Sequence, residues 1–275
     1  MESRWSTFRS FASNHVVWYN FHVAGNACFF IETVFFEEAS LLARTTSSHN
    51  GKINIAIDGP AGAGKSTIAR MVANMLSYVY VDTGAMYRAA TWYLKNRGIE
   101  PEEVNEVLHT VQNLGIELIP GEDGQQVHVN GQDVTAEIRS LTVSSQVSRY
   151  AQIEGLRTWL VSLQRQMALR KGVVMDGRDI GTTVLPDAEV KIYMTATVEE
   201  RARRRFNEMQ EQQGITLEMI ARDIAERDRL DQEREVSPLR QAEDAILLDT
   251  THLTPQEVAN RIVSLSRTYW EREQE

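Results

Sequence analysis

Cysteine is almost missing from this chain. Cys28 alone among 275 residues leaves no intrachain disulfide and no multi-cysteine metal site, and a reducing compartment fits. The six histidines are scattered and form no metal-ligand spacing. No apolar run approaches the roughly 20 residues that cross a bilayer. An excess of base is missing too. Lys+Arg total 29 against 38 Asp+Glu, a net charge of −9, which argues against nucleic acid as the main partner. Internal repeats and low-complexity tracts are also lacking. The chain is expected to be a cytoplasmic, monomeric globular protein acting on small molecules, with no membrane or nucleic-acid partner.

The first 50 residues lack proline altogether, yet hold seven of the eight phenylalanines. Their aromatics (Trp5, Trp18, Tyr19, Phe29, Phe30, Phe35, Phe36) follow no clean helical or strand period. His22, Asn26 and Glu32 interrupt Val16–Phe36, so it does not read as a secretory signal. No methionine lies between Met1 and Met71, so a later start would need another codon. Thr45–Gly51 reads as a flexible joint. Residues 1–51 are therefore expected to be an atypical, poorly ordered and dispensable extension. Residues 52–275 are expected to form the working domain.

What is present is concentrated in Ile53–Thr67, INIAIDGPAGAGKST. Ile53, Ile55 and Ile57 suit a buried strand. Gly59, Gly64, Lys65 and Ser66 match G-x-x-x-x-G-K-[ST], the phosphate-binding loop. Glycines at 59, 62 and 64 let successive N–H groups turn inward, and the helix after the loop adds its positive end. Gly59, Pro60, Ala61, Gly62, Ala63, Gly64, Lys65, Ser66 and Thr67 are thus expected to cradle the phosphates of a nucleoside triphosphate. Lys65 reaches the terminal phosphates and the Ser66 hydroxyl ligates Mg²⁺. A chance glycine turn would lack the flanking strand and the amphipathic helix of Ile68, Met71, Val72, Met75 and Leu76.

Further strands follow at 79–81, 172–175, 190–194 and 245–249, separated by helical patterns at 85–96, 101–114 and 140–170. A last helix starts at Pro255 behind a Thr254 cap. Strands alternating with helices imply α/β architecture: a parallel five-stranded sheet, doubly wound. Ile116, Leu118, Val127 and Val129 alternate about Gly121–Gly124, which reads as an inserted β-hairpin. Asp82 is open between a helix cap and a partner of Lys65. Asp176 is open between a residue held behind the Mg²⁺ ion and a plain strand-terminal turn. Arg201, Arg203 and Arg205 read as a solvated helix face.

Phosphoryl transfer needs two phosphates aligned, their charge neutralised and water excluded. No N-K-x-D segment is present to read guanine, so a GTPase switch is disfavoured. Arg88 and Arg178 at strand ends, with Arg227 and Arg234 in a late polar segment, offer instead a cationic acceptor pocket and an arginine lid. Other readings are a kinase for UMP or a different monophosphate, or a non-catalytic ATP-binding module.

GPAGAGKST, DTGAMYR, SQV with Arg157, DGRDIGTTVLPDA and ERDRLDQEREVSPL occur in one order. Together they resemble the bacterial cytidylate kinase family, within the P-loop nucleoside monophosphate kinases. The resemblance spans Lys52 to about Arg267. It implies ATP-dependent phosphorylation of CMP and dCMP, a monophosphate-binding insert at about 115–145 and a helical lid at about 206–240. It also implies roles residue by residue. Thr83, where the family has Ser, bonds the acceptor nucleotide and Tyr87 packs on it. Arg88 and Arg178 grip its phosphate, with Asp176 in the same site. Ser145, Arg157 and Asp179 read the cytosine edge, Arg227 and Asp231 hold the ribose, Arg234 closes on the transferring phosphoryl, and Arg204 touches the donor. On this reading the Ser145–Arg157 spacing implies a short insertion around 148–155.

Overall fold

The computed structural model describes residues 6–12, 15–24, 27–30, 51–121, 124–208 and 216–272. Within the extension, strands β1 (Ser6–Ala12), β2 (His15–Ala24) and β3 (Ala27–Phe30) pair antiparallel in that order. The sequence showed no strand period here because β2 is apolar at both odd and even positions. Val16 and Trp18 alternate with Val17, Tyr19 and Phe21. Phe35, Phe36 and most of the Thr45–Gly51 joint lie outside the described residues.

The working domain opens with β4 (Asn54–Asp58), α1 (Lys65–Leu76), β5 (Val79–Asp82) and α2 (Thr83–Lys95). Next come α3 (Val104–Val111), the hairpin β6 (Ile116–Gly121) and β7 (Gly124–Val129), and short β8 (Gln132–Asp133). Helices α4 (Leu141–Tyr150) and α5 (Glu154–Ala168) lead to β9 (Val173–Gly177), which runs into a π turn at Ile180–Val184. The chain closes with β10 (Val190–Thr195), α6 (Val198–Glu208), α7 (Leu217–Glu233), β11 (Ile246–Asp249) and α8 (Pro255–Arg272).

The five expected strands form one all-parallel sheet in the order β11-β10-β4-β9-β5. Ile55 and Ile57 of central β4 face α1 and α8, in a core with Ile68, Val72, Val258 and Ile262. Ala56 faces the other way, into the larger core of Met86, Leu94, Leu156, Leu160 and Met175. Helices therefore cover both faces, as the run of strands and helices implied. A capping box starts α8: Thr254 N donates to Glu257 Oε2 at 2.8 Å, and Glu257 N to Thr254 Oγ1 at 3.3 Å.

Two helices differ from expectation. α3 begins after Pro101, because Glu100 N donates to Glu103 Oε2 (2.8 Å) and holds a separate turn there. The pattern over 140–170 breaks into α4 and α5 at extended Ile153, and Arg157 Nη1 takes the freed carbonyl of Ala151 at 3.1 Å. The break thus fixes a site arginine. The hairpin is joined to the sheet through Gln125 of β7, whose amide donates to Tyr80 O (2.7 Å) and accepts from Asp82 N (3.2 Å). Among the described residues, no helix is long and apolar enough to cross a membrane.

Candidate active site

The donor loop joins the end of β4 to the start of α1, at the carboxyl edge of the sheet where open α/β folds bind ligands. Gly59 is compulsory: a Cβ there would lie 2.1 Å from Met194 O. Lys65 is buried and its Nζ donates to Pro60 O at 2.7 Å. Burial, then the nearby Arg178 cation, pushes this amine down to about 7. Asp58, which sequence reasoning passed over, accepts from Ile180 N at 2.8 Å and Gly181 N at 2.7 Å. Burial pushes its carboxyl up to about 7 against those two bonds. Asp58 thereby ties the donor strand to the segment that carries Arg178 and Asp179. Its signal was its place directly before the loop glycine, inside a fully buried strand.

Asp176, at the end of β9, accepts from Ser66 Oγ and from Tyr80 OH, both at 2.9 Å. Burial, then the Asp82 charge, raises it to about 6. It stands beside the hydroxyl expected to meet the ion. Asp82 takes the cap role. Its Oδ1 accepts from Ala85 N at 2.7 Å, and its Oδ2 pairs with Arg88 Nη2 at 3.1 Å. Thr83 is buried and spends its hydroxyl on Asp176 O at 2.7 Å.

On the acceptor side the charges alternate. Arg178 Nε pairs with Asp231 Oδ2 at 2.8 Å, and Arg157 Nη2 with Asp179 Oδ2 at 2.5 Å. Arg234 lies between the two acids, 3.4 Å from Asp179 and 3.9 Å from Asp231. Burial alone would raise Asp231, but Arg178, Arg227 and Arg234 hold its carboxyl below the usual range. Tyr87 lies under the Arg157 guanidinium, 5.3 Å from carbon to ring centre. Arg227 is driven down to about 10, by burial and then by Arg178, with Arg88 also contributing. Lys65, Arg88, Arg178 and Arg227 therefore share one field.

Nine buried side-chain polar atoms among the described residues have no hydrogen-bond partner. Five of the nine belong to this cluster: Tyr87 OH and one nitrogen each of Arg88, Arg157, Arg227 and Arg234. Buried polar atoms are normally satisfied, so this concentration singles the cluster out from the rest of the described residues. Arg204 lies beside the phosphate-binding loop. It donates to Thr250 O at 2.6 Å, and a Cβ on Gly64 would be 3.9 Å from its Nη1.

Two expectations need correction. Arg201 is not solvated; it is 5% exposed and paired with Asp228 at 2.5 Å. The spacing of charges in EERARRR could not separate it from exposed Arg203, which pairs with Glu200. Ser145 is exposed and bonded to Thr142 O at 3.1 Å within its own helix. The buried serine of α4 is Ser148, three residues closer to Arg157.

A family model for cytidylate kinase matches residues 55–268. The chain belongs to the cytidylate kinase family. It is 52% identical to the cytidylate kinase of Bacillus velezensis over 215 residues, 78% of this chain and 96% of that protein. Its identity to the cytidylate kinase of Bacillus subtilis is 51% over 213 residues, 77% of this chain and 95% of that one. A shikimate kinase from Acinetobacter baumannii, solved with shikimate, covers 79% of this chain and 94% of its own at 17% identity and TM-score 0.38, too distant to bear on the site. Gly59–Thr67 and Arg88, Arg157, Arg178, Arg227 and Arg234 all lie inside the matched residues.

Proposed function

We propose that the protein transfers the terminal phosphoryl of ATP to CMP and dCMP, giving ADP and CDP or dCDP. The observation that carries this is the cluster of buried groups without hydrogen-bond partners on Tyr87, Arg88, Arg157, Arg227 and Arg234, whose arginine field reaches the loop lysine Lys65 through Arg178 and Arg227. Binding ATP alone requires no such second cluster. In the transfer, the bond from the terminal phosphorus to its bridging oxygen breaks as an acceptor phosphate oxygen bonds to that phosphorus. The protein supplies alignment and charge. Lys65 and the loop N–H groups hold the donor, Arg88 and Arg178 hold the acceptor phosphate, and Arg234 neutralises the moving group. Lys65 keeps its proton when phosphate anions sit beside it, whatever burial alone would do.

Ser66 Oγ and the Asp176 carboxylate, 2.9 Å apart, are the oxygen donors that fit Mg²⁺. When bound, the ion neutralises and aligns phosphate oxygens. Asp179 and Arg157 fit a cytosine edge, the carboxylate taking the N4 amino group and the guanidinium the N3 and O2 acceptors. Ser148 joins them in place of Ser145. Arg227 and Asp231 hold the ribose, and Arg204 the donor nucleotide. We place the activity in a cytoplasmic monomer, with residues 1–51 dispensable. An ADP-release assay across CMP, dCMP, UMP, AMP and GMP tests the reading. Strong release with CMP and dCMP supports it. Preference for another monophosphate, or none, replaces it with the rival kinase or the binding module.

A further inference from the structure

Helix α7 buries one stripe: Ile220, Ile224, Asp228 and Asp231. The first two are apolar and pack with Ala202 of α6. The last two are carboxylates on the same inward face, where charge is costly unless paired. Asp231 pairs with Arg178 on the acceptor side. Asp228 points to the donor loop instead. Its Oδ1 accepts from Ala61 N at 2.9 Å, and its Oδ2 from Arg201 Nη1 at 2.5 Å. The same Arg201 nitrogen donates to Ala61 O at 2.9 Å, and Arg201 Nε donates to Ala196 O at 3.0 Å. One buried ion pair therefore holds both backbone polar groups of one donor-loop residue, with one member from α6 and one from α7. Gly62 allows the approach: a Cβ there would lie 3.3 Å from Arg201 Cβ and 3.4 Å from Ile224 Cδ1.

An ion pair this deep offsets its desolvation only with good geometry and further hydrogen bonds. Here the further bonds go to Ala61 and Ala196. We propose that Arg201 and Asp228 are a positioning pair, a latch by which lid helix α7 sets the donor loop in register with the acceptor arginines. The proposal rests on the transfer reaction above. Neither side chain is assigned to either nucleotide; both act through Ala61. One helix then joins Ala61 to Arg178 through Asp231, and to Asp179 through Arg234 at its end. Releasing the donor-loop end leaves the acceptor contacts in place but lets the lid sit off register, so water competes for the phosphoryl.

The test uses the full chain with Arg201→Lys and Asp228→Asn, singly and together. ADP release is measured with ATP alone and with ATP plus CMP. Each single change lowers transfer by about tenfold and raises the ratio of hydrolysis to transfer by about tenfold, the size expected of lost alignment. The double change is no worse than the poorer single, because the partners act as one unit. An unchanged ratio, with both rates reduced alike, overturns the proposal, and so do additive effects. Amide exchange of Ala61 in the unaltered protein covers variants that fail to fold: slow exchange is expected, and fast exchange overturns the latch. If the unaltered protein phosphorylates no monophosphate, the proposed reaction fails. The latch then stands or falls on Ala61 exchange and on whether the variants hydrolyse ATP faster.

Discussion

The donor side of the cleft comes from one unbroken stretch, Gly59–Thr67, and works largely through backbone. The acceptor side is gathered from α2, α5, the segment after β9, and α7, and works through side chains. The donor loop needs little charge beyond Lys65, since its N–H groups and the α1 terminus supply the field. The acceptor side holds five arginines, each kept near an acid or left with an unpartnered nitrogen. The contrast has a physical root. A triphosphate tail is recognised by any concave row of amides. A particular nucleoside monophosphate has to be read by groups with direction, and those come from wherever the fold can bring them.

The contrast breaks most sharply at Arg178. Arg178→Ala is expected to cut turnover by about 10³-fold while ATP affinity changes little, since arginines act on the moving charge. Steady-state rates and ATP titration check this, and a normal rate would merge the two sides into one binding surface. Next is Arg157→Ala, which strips the main partner from buried Asp179. Chemical unfolding should show a loss on the order of 3 kcal/mol, and discrimination between CMP and UMP should fall with it.

The third prediction uses pH. Asp58 has its folded carboxyl raised to about 7 from 3.8. A raised carboxyl favours folding while protonated, so its contribution is full below the unfolded value and is lost as pH climbs toward 7. Relative to Asp58→Asn, the unaltered protein should lose stability between about pH 4 and pH 7 and then level off. Urea unfolding across that range reads it, and a flat difference would mean the carboxyl titrates normally. A smaller effect separates the two serines: Ser148→Ala should raise the KM for CMP several-fold, and Ser145→Ala should leave it alone. Smallest of all, removing residues 1–51 should leave turnover unchanged, and a clear drop would give the extension a part in the reaction.

The same contrast explains what could be read in the sequence. The donor loop, its strand and its helix were legible because their signal is local, as were all five sheet strands. Arg178 and Arg234 stood out as cations at a strand end and in a late polar segment, whereas Arg157 and Asp179 were placed through a likeness of motifs, since nothing in their spacing says that they meet. Arg201 was misread because an arginine on a charged helix looks the same whether it faces water or Asp228. Ser145 was assigned through the SQV motif, and the local string SSQVS does not say which of its serines faces the core: helix phase is set by packing partners from α2 and α7. Asp58 was overlooked because its partners are backbone amides 122 and 123 residues away.

Gln125 has one more effect. β5 is the outermost strand, and its free side would present bare carbonyl and amide groups to any passing chain. By engaging Tyr80 O and Asp82 N, a lone carboxamide imitates a missing sixth neighbour at the carboxyl end of β5. The inserted hairpin thus covers an edge that would otherwise invite strand pairing. A change such as Gln125→Ala would first reveal itself in turbidity on storage rather than in any rate.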